Sequence, residues 1–277
     1  MKKFFALSIA ALLGLAFDSA AHAEIVLSTT TYSQNFDNFG TTTVTNVFSS
    51  TIGTIANIPN LSSEWDGAKI GGTGTAATNF VADTGAGTSG GIYNYGASLS
   101  SDRALGAVAS GTNIMGFGFQ LRNSTGETID SITIGFTQEN WRSSTSIVNT
   151  IAASYATSAS GATSSNYLTA SGFTTVSDLN LVGPAPVASN GALNGNDAAN
   201  QVSRSTTISG LTFLAGDVMY FRWQDVNDAG NDAGLAIDNF NLSVTTTAVP
   251  EPTSLALVGM ALGTGAWARF RRRSQNR

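Results

Sequence analysis

Short segments of alternating apolar and polar residues run through the middle of the chain. In one of them, Phe117, Phe119 and Leu121 alternate with polar or small residues. The same period of two recurs at residues 132–136, 218–223 and 240–244. Because successive side chains of a strand point to opposite faces, this pattern predicts β-strands with one buried face.

Polar turn sequences separate these segments. Residues 123–126, 194–197 and 214–217 are rich in Asn, Gly and Asp, which are typical of tight turns. No long stretch shows a helical period, and no repeat of fixed length appears, which disfavours a solenoid. Many short strands joined by polar turns predict an all-β domain, an antiparallel β-sandwich of the jelly-roll type, over residues 24–247.

The N-terminal segment departs from this pattern. A basic start and an apolar run at residues 4–17 precede the small-x-small sequence Ala21-His22-Ala23. These features predict a secretory signal helix over residues 1–23 that signal peptidase cuts after Ala23. The run is short for a bilayer core of about 30 Å, which disfavours the alternative of a permanent anchor.

The C-terminal segment, residues 248–277, has three parts in a fixed order. Pro250, Glu251 and Pro252 open it, and the prolines end any regular structure. An uncharged run at residues 253–268 follows and would rise about 24 Å as a hydrophobic helix. The cluster that closes the segment is Arg269, Arg271, Arg272 and Arg273. The positive-inside rule places these arginines in the cytoplasm and the middle domain across the membrane.

A Pro-Glu-Pro box, an apolar helix and an arginine cluster in this order resemble the PEP-CTERM sorting tail. The resemblance implies a membrane-tethered precursor whose tail the membrane-embedded protease exosortase removes. It also implies a Gram-negative-type bacterium that makes exopolysaccharide and biofilm, with the mature protein on the outer surface or in the extracellular matrix. An ordinary single-pass anchor is the alternative.

Segments of the middle domain are also similar to jelly-roll ectodomains that are common in that group of proteins. The similar segments are residues 103–106, 138–142, 222–225 and 234–238. This resemblance implies a surface role and brings no catalytic residue with it.

The amino-acid composition excludes several kinds of catalytic and metal-binding site. The chain has no cysteine, and its one histidine, His22, lies in the predicted signal peptide. Catalysis by thiol or imidazole, zinc sites of the His/Cys type and disulfides are therefore excluded for the mature protein. Residues 24–249 carry six basic and sixteen acidic side chains, a net charge of −10, which disfavours nucleic acid as a partner.

Two groups of carboxylates are candidate ligands for structural Ca²⁺, which prefers oxygen. Asp225, Asp228 and Asp232 fall within eight residues, and a solvated turn is the alternative reading of that loop. Asp238 shares the alternation of Phe240 and Leu242, which predicts that it lies on the core face. The resemblance to sugar-binding jelly rolls implies that it would bind a cation together with Asn35 and Asp37 near the first strand. The alternative is that it accepts hydrogen bonds.

Two tryptophans are candidate platforms for a sugar ring. Trp141 and Trp223 each carry a flat aromatic surface, although a core position is the alternative for both. Glu139, close to Trp141, could act as a glycosidase acid only opposite a second carboxylate, which the sequence does not identify.

These features favour a non-catalytic surface or matrix protein that binds exopolysaccharide or other matrix glycans. A secreted hydrolase that uses paired carboxylates is one alternative. A purely structural matrix component is another.

The ends of the exported protein test the two terminal predictions. Because the cleavage sequence ends at Ala23, we expect the mature protein to begin at Glu24. Because the sorting tail is predicted to be removed, we also expect the mature protein to lack Arg277. N-terminal sequencing and intact mass of the surface fraction measure both ends. A surface form that begins at Met1 contradicts the signal peptide, and one that retains Arg277 contradicts tail removal.

Overall fold

The computed structural model describes residues 24–158 and 163–248, so the predicted signal peptide and sorting tail lie outside it. The strands of the described part are β1 (Glu24–Leu27), β2 (Thr31–Gln34), β3 (Ala56–Asn57), β4 (Asp66–Gly71), β5 (Val81–Asp83), β6 (Gly91–Tyr95), β7 (Ala104–Val108), β8 (Ile114–Asn123), β9 (Thr128–Arg142), β10 (Thr150–Ser158), β11 (Thr174–Thr175), β12 (Leu181–Val182), β13 (Gln201–Phe213), β14 (Val218–Val226) and β15 (Gly234–Thr247). Its helices are 3₁₀ turns at Asp37–Phe39, Tyr167–Thr169, Ser177–Leu179 and Ala198–Asn200. None of these turns is long and apolar enough to cross a membrane.

The strands form two sheets. The first sheet has the order β11-β10-β14-β8-β4-β3, with β1 beside β8 and β12 beside β10. The second has the order β13-β9-β15-β7-β6-β5, with β2 beside β15. Within the described residues the pairing is antiparallel except between β1 and β8 and between β5 and β6. The prediction of an all-β sandwich is thus confirmed for two antiparallel sheets, and the predicted flanking helices lie outside the described residues.

Aromatic side chains fill the space between the sheets. The ring of Trp65 lies 4.7 Å from that of Phe119, 6.1 Å from Trp223 and 5.1 Å from Phe240, measured between centroids. All four rings are buried. The indole N–H of Trp223 donates to the carbonyl of Leu179 at 3.1 Å, so this buried donor is satisfied.

One irregularity in β15 decides which side chains face the core. Asp238 pairs with Thr137 on β9, but the next aligned pair is Asn241 with Gly135. Two residues of β15 therefore lie opposite a single residue of β9, which defines a β-bulge. Asn239 sits in it with a φ of 49°, in the left-handed region that asparagine tolerates better than most residues.

The bulge corrects the prediction for Asp238. Side chains of a strand alternate between the two faces of the sheet, so an inserted residue moves the side chains that follow it to the opposite face. Phe240 therefore packs in the core, whereas Asp238 lies on the outer face of the second sheet with Ala236 and Trp141. The prediction that Asp238 shares the core face with Phe240 is wrong for this reason.

Substitutions at Asn239 test the bulge. We expect Asn239→Val to lower the free energy of unfolding by about 1–2 kcal/mol, since a β-branched residue is strained at positive φ. Asn239→Gly should cost much less, because glycine adopts this conformation freely. Urea denaturation measures both. Ser243→Val, on an exposed position of the same strand, is the control, and an Asn239→Val protein as stable as this control contradicts the bulge.

Candidate functional site

The outer face of the second sheet carries aligned rows of hydroxyl and amide side chains. The strands β2, β15, β9 and β13 lie side by side there, and their register places outward residues in line. The first row is Ser33, Asn241, Gly135 and Ser205; the second is Thr31, Ser243, Thr133 and Thr207; the third is Thr245, Ser131 and Ser209. We call these three rows the polar face.

The polar face is uncharged and open to solvent. Its side chains are exposed on β2, β15 and β13, and half-buried on β9 except at Gly135. Neighbouring strands lie about 4.8 Å apart, and alternate residues of a strand about 6.8 Å apart. Hydrogen-bonding groups therefore repeat in two directions, and the hydroxyls of Thr133 and Thr207 already bond each other at 2.8 Å.

A hollow of about 520 Å³ opens at one end of the polar face. Its lining residues are Ser33, Gln34, Asn35, Asn38, Asn239, Phe240 and Asn241. Asn241 lies across Gly135, where a Cβ atom would come within 2.9 Å of the Asn241 amide oxygen. The side-chain amide nitrogen of Asn241 donates to the backbone carbonyl of Asn239 at 3.3 Å. The bulge and Gly135 together therefore position the amides of this hollow.

Two carboxylates lie on the same outer face, beyond the bulge. Glu139 accepts a hydrogen bond from the indole of Trp141 at 2.9 Å and one from Gln201 at 3.1 Å. Asp238 accepts one from the amide of Asn239 at 2.6 Å through its Oδ2 atom. Its Oδ1 atom is buried and has no hydrogen-bond partner in the described part of the chain.

Burial changes the protonation of this carboxylate pair. Desolvation is the largest cause and raises the pKa of Glu139 to about 7 and that of Asp238 to about 8. The charges of Glu139, Asp102 and Asp37 add to the rise at Asp238. Burial therefore favours the protonated form of Asp238.

A loop between β12 and β13 closes over this end of the sheet. Asn196 donates to Asp102 at 2.6 Å, and Gly195 lies so close to Trp141 that a Cβ atom there would be 2.4 Å from the ring. Glu139 and Asp238 are only 1% and 3% exposed. Hydrolysis with paired carboxylates needs both groups at the scissile bond, and in this structure a substrate reaches neither.

Neither predicted aromatic platform is available to a ligand. Trp141 is 1% exposed and stacks on Tyr95 with the ring centroids 5.8 Å apart, beneath Gly195. Trp223 is also 1% exposed and belongs to the core between the sheets. The prediction of a sugar platform is corrected for both, because Tyr95 and Gly195 cover Trp141, and Phe117 and Trp65 stack on Trp223.

The aspartate-rich loop is held together by an amide. The nitrogen of Asn149 donates to Asp228 at 2.8 Å and to Asp232 at 3.1 Å. The amide oxygen accepts from the backbone of Ala233 at 2.7 Å, which fixes this orientation. In this structure an N–H donor therefore lies between the carboxylates of Asp228 and Asp232.

The other predicted ligands are distributed over the two ends of the fold. Asp225 is buried in the first sheet, and burial, followed by the charge of Asp232, raises its pKa well above the usual range. Asp37 accepts from the backbone of Arg103 at 3.2 Å and from Asn35 at 2.7 Å. Residues 24–158 and 163–248 contain no group of three acidic side chains placed to hold a metal ion. Calcium therefore stays a prediction, and Asp238 has one buried oxygen without a hydrogen-bond partner in the described residues.

The polar face was not anticipated from the sequence. One signal for it is present in β13, where Ser203, Ser205, Thr207 and Ser209 occupy alternate positions. That alternation indicates one hydrophilic face, but the alignment with Ser33 and Asn241 depends on pairing between distant strands.

Comparison with known proteins identifies no family for this chain. No family model matches it, and no curated protein matches it. The resemblance of the C-terminal segment to a sorting tail therefore remains an expectation from the sequence.

Solved structures show only distant likenesses. One is TmCBM61 in complex with beta-1,4-galactotriose, with 10% identity over 53% of this chain and 74% of that one, at a TM-score of 0.29. A second is the CBM22-2 xylan-binding domain of Paenibacillus barcinonensis Xyn10C, with 10% identity over 52% and 80%, at 0.32. A third is the K3 adhesin domain of Lys-gingipain from Porphyromonas gingivalis, with 13% identity over 65% and 91%, at 0.33. TM-scores this low do not show that this chain shares a function with these proteins.

The buried carboxylate predicts how stability changes with pH. A raised native pKa means that folding retains a proton that the unfolded chain releases, so stability falls as pH rises from about 4 through 8. We expect Asp238→Asn, which stays neutral, to lose less stability over this range. Thermal melts in EDTA from pH 5 to 9 measure it, with the exposed Asp197→Asn as control. Equal slopes for both variants and the native protein contradict the burial of Asp238.

The same melts test calcium. If Ca²⁺ binds at Asp238, millimolar Ca²⁺ in place of EDTA raises the melting temperature of the native protein and leaves that of Asp238→Asn unchanged. If the native protein melts at the same temperature in EDTA and in Ca²⁺, the prediction of a structural Ca²⁺ is wrong.

Proposed function

We propose that this chain is an exported, non-catalytic surface or matrix protein that binds neutral glycans through the polar face. The observation that carries the proposal is the alignment of uncharged hydroxyl and amide side chains in three rows, two of which cross four strands and one of which crosses three. Sugar hydroxyls donate and accept hydrogen bonds, as do Ser, Thr and Asn side chains. The two surfaces are therefore chemically matched.

The charge distribution favours a neutral glycan over an anionic one. Residues 24–249 carry a net charge of −10, which repels polyanions at long range. The rows of the polar face carry no cation that could offset this repulsion locally.

The absence of exposed aromatic groups indicates how the glycan is held. In the ranges that the structure describes, the exposed large hydrophobic residues include no Trp, Tyr or Phe. Each sugar unit therefore gains hydrogen bonds but no stacking, and each such bond contributes only about 0.5–1.5 kcal/mol. Useful affinity requires many rows to act together, so we expect long polymers to bind much better than short oligosaccharides.

The proposal also locates this activity outside the cell. In the proposal, the signal peptide exports the chain, the C-terminal segment tethers the precursor, and exosortase processing releases it to the outer surface or matrix. The support is the order of motifs in residues 1–23 and 248–277 of the sequence.

Variants in the polar face test glycan binding. We expect the double variant Ser33→Ala/Asn241→Ala to bind a neutral polysaccharide about tenfold more weakly, because two hydrogen-bonding groups are lost from adjacent positions of one row. Affinity electrophoresis in gels that contain neutral or carboxylated polysaccharide measures the dissociation constant. Asn227→Ala, an exposed amide at the other end of the domain, is the matched control.

The outcomes separate the three functions under consideration. Loss of retardation in the double variant but not in the control supports the polar face. No retardation of the native protein in any gel favours a purely structural role. Release of reducing ends that disappears in Glu139→Gln favours the hydrolase.

A further inference from the structure

The strand at one edge of the second sheet is long, and within the described residues its outer side contacts the 3₁₀ turn Ser177–Leu179 but pairs with no strand. β13 pairs with β9 through Gln201–Ser209 in unbroken register. No other strand of the described chain pairs with it. Its outer row of backbone N–H and C=O groups is therefore available to a further strand.

The edge lacks the features that usually prevent strand addition. Between Gln201 and Phe213 there is no lysine, proline, aspartate or glutamate, and Arg204 is the single charge. Natural edge strands commonly carry such residues, or a bulge, to avoid pairing. Here the irregularity falls only after Ser209.

The sequence of the edge is complementary to itself. If two copies pair antiparallel about a two-fold axis through Ser205, Ser203 lies opposite Thr207, and both belong to the outer face. On the inner face, Val202 lies opposite Ile208. Val202 is 40% exposed in the single chain, so this pairing covers apolar surface.

The same axis also pairs opposite charges. It places Arg204 of one copy opposite Thr206 of the other, and the Thr206 hydroxyl donates to Asp178 at 3.2 Å. The guanidinium of Arg204 bonds only the Gln138 amide oxygen, at 3.0 and 3.1 Å, and forms no ion pair within the described residues. A second copy therefore brings Asp178 within reach of Arg204, twice per dimer.

From these observations we infer that two copies of the chain pair through β13 to form a symmetric dimer with one continuous sheet. The polar faces of the two copies then join, because Ser203, Ser205 and Thr207 lie on the same outer face in both. This consequence for glycan binding rests on the proposed function. The pairing itself does not, and it is tested without glycan.

Cysteine cross-linking tests the axis directly, since the chain contains no cysteine. Directly opposed residues of antiparallel strands have Cα atoms about 4.5–5.5 Å apart, which suits a disulfide. We expect purified exported Ser205→Cys to become mostly covalent dimer under mild oxidation. Ser243→Cys, on the same face but on a central strand, is the control and should stay monomeric. Cross-linking of Ser205→Cys no faster than the control overturns the proposal.

Charge exchange provides a second measurement. Sedimentation equilibrium of the native protein should show dimers, and Arg204→Glu should weaken them about tenfold through the loss of two ion pairs. Arg204→Glu combined with Asp178→Arg should restore the native dissociation constant. A native protein that is monomeric at all concentrations, or a double variant no tighter than the single one, overturns the pairing. Glycan binding by an undimerised protein leaves the proposed function standing.

Discussion

The extra residue of β15 is the constraint on which the outer face of the second sheet depends. Because Asn239 adopts a left-handed conformation, Phe240 turns inward onto Trp65 and Trp223, while Asp238 turns outward. Without the bulge, one of the two would face the wrong side: a phenylalanine in water or a carboxylate among aromatic rings. The same shift aligns Asn241 with Gly135 of β9.

The sequence predicts the strands well and their faces less well. Alternation at Phe117, Phe119 and Leu121 identifies β8, because a period of two is a local property of one strand. The face of Asp238 could not be predicted, since the bulge is defined by pairing with a distant strand. Burial of Trp141 depends likewise on a loop around Gly195, which lies more than fifty residues away along the chain.

The outer face of the second sheet divides its polar groups into two environments. On one side of the bulge, neutral hydroxyls and amides remain in water; on the other, Glu139 and Asp238 are buried. Hydrogen-bonding groups that are hydrated in the free protein do not destabilise it. Each contributes little free energy on binding, because a hydrogen bond to the ligand replaces one to water. A surface of this kind suits reversible, length-dependent attachment to a polymer better than tight binding of a small molecule.

Side-chain amides report directly on whether this face meets glycan. In nuclear magnetic resonance spectra of the protein titrated with a neutral polysaccharide, we expect shifts or broadening of the side-chain amide signals of Asn38, Asn239 and Asn241, because these residues line the hollow. We expect unchanged signals for Asn227 and Asn231, which line a different pocket. Perturbation of Asn227 and Asn231 with Asn241 unaffected would contradict glycan binding at the polar face.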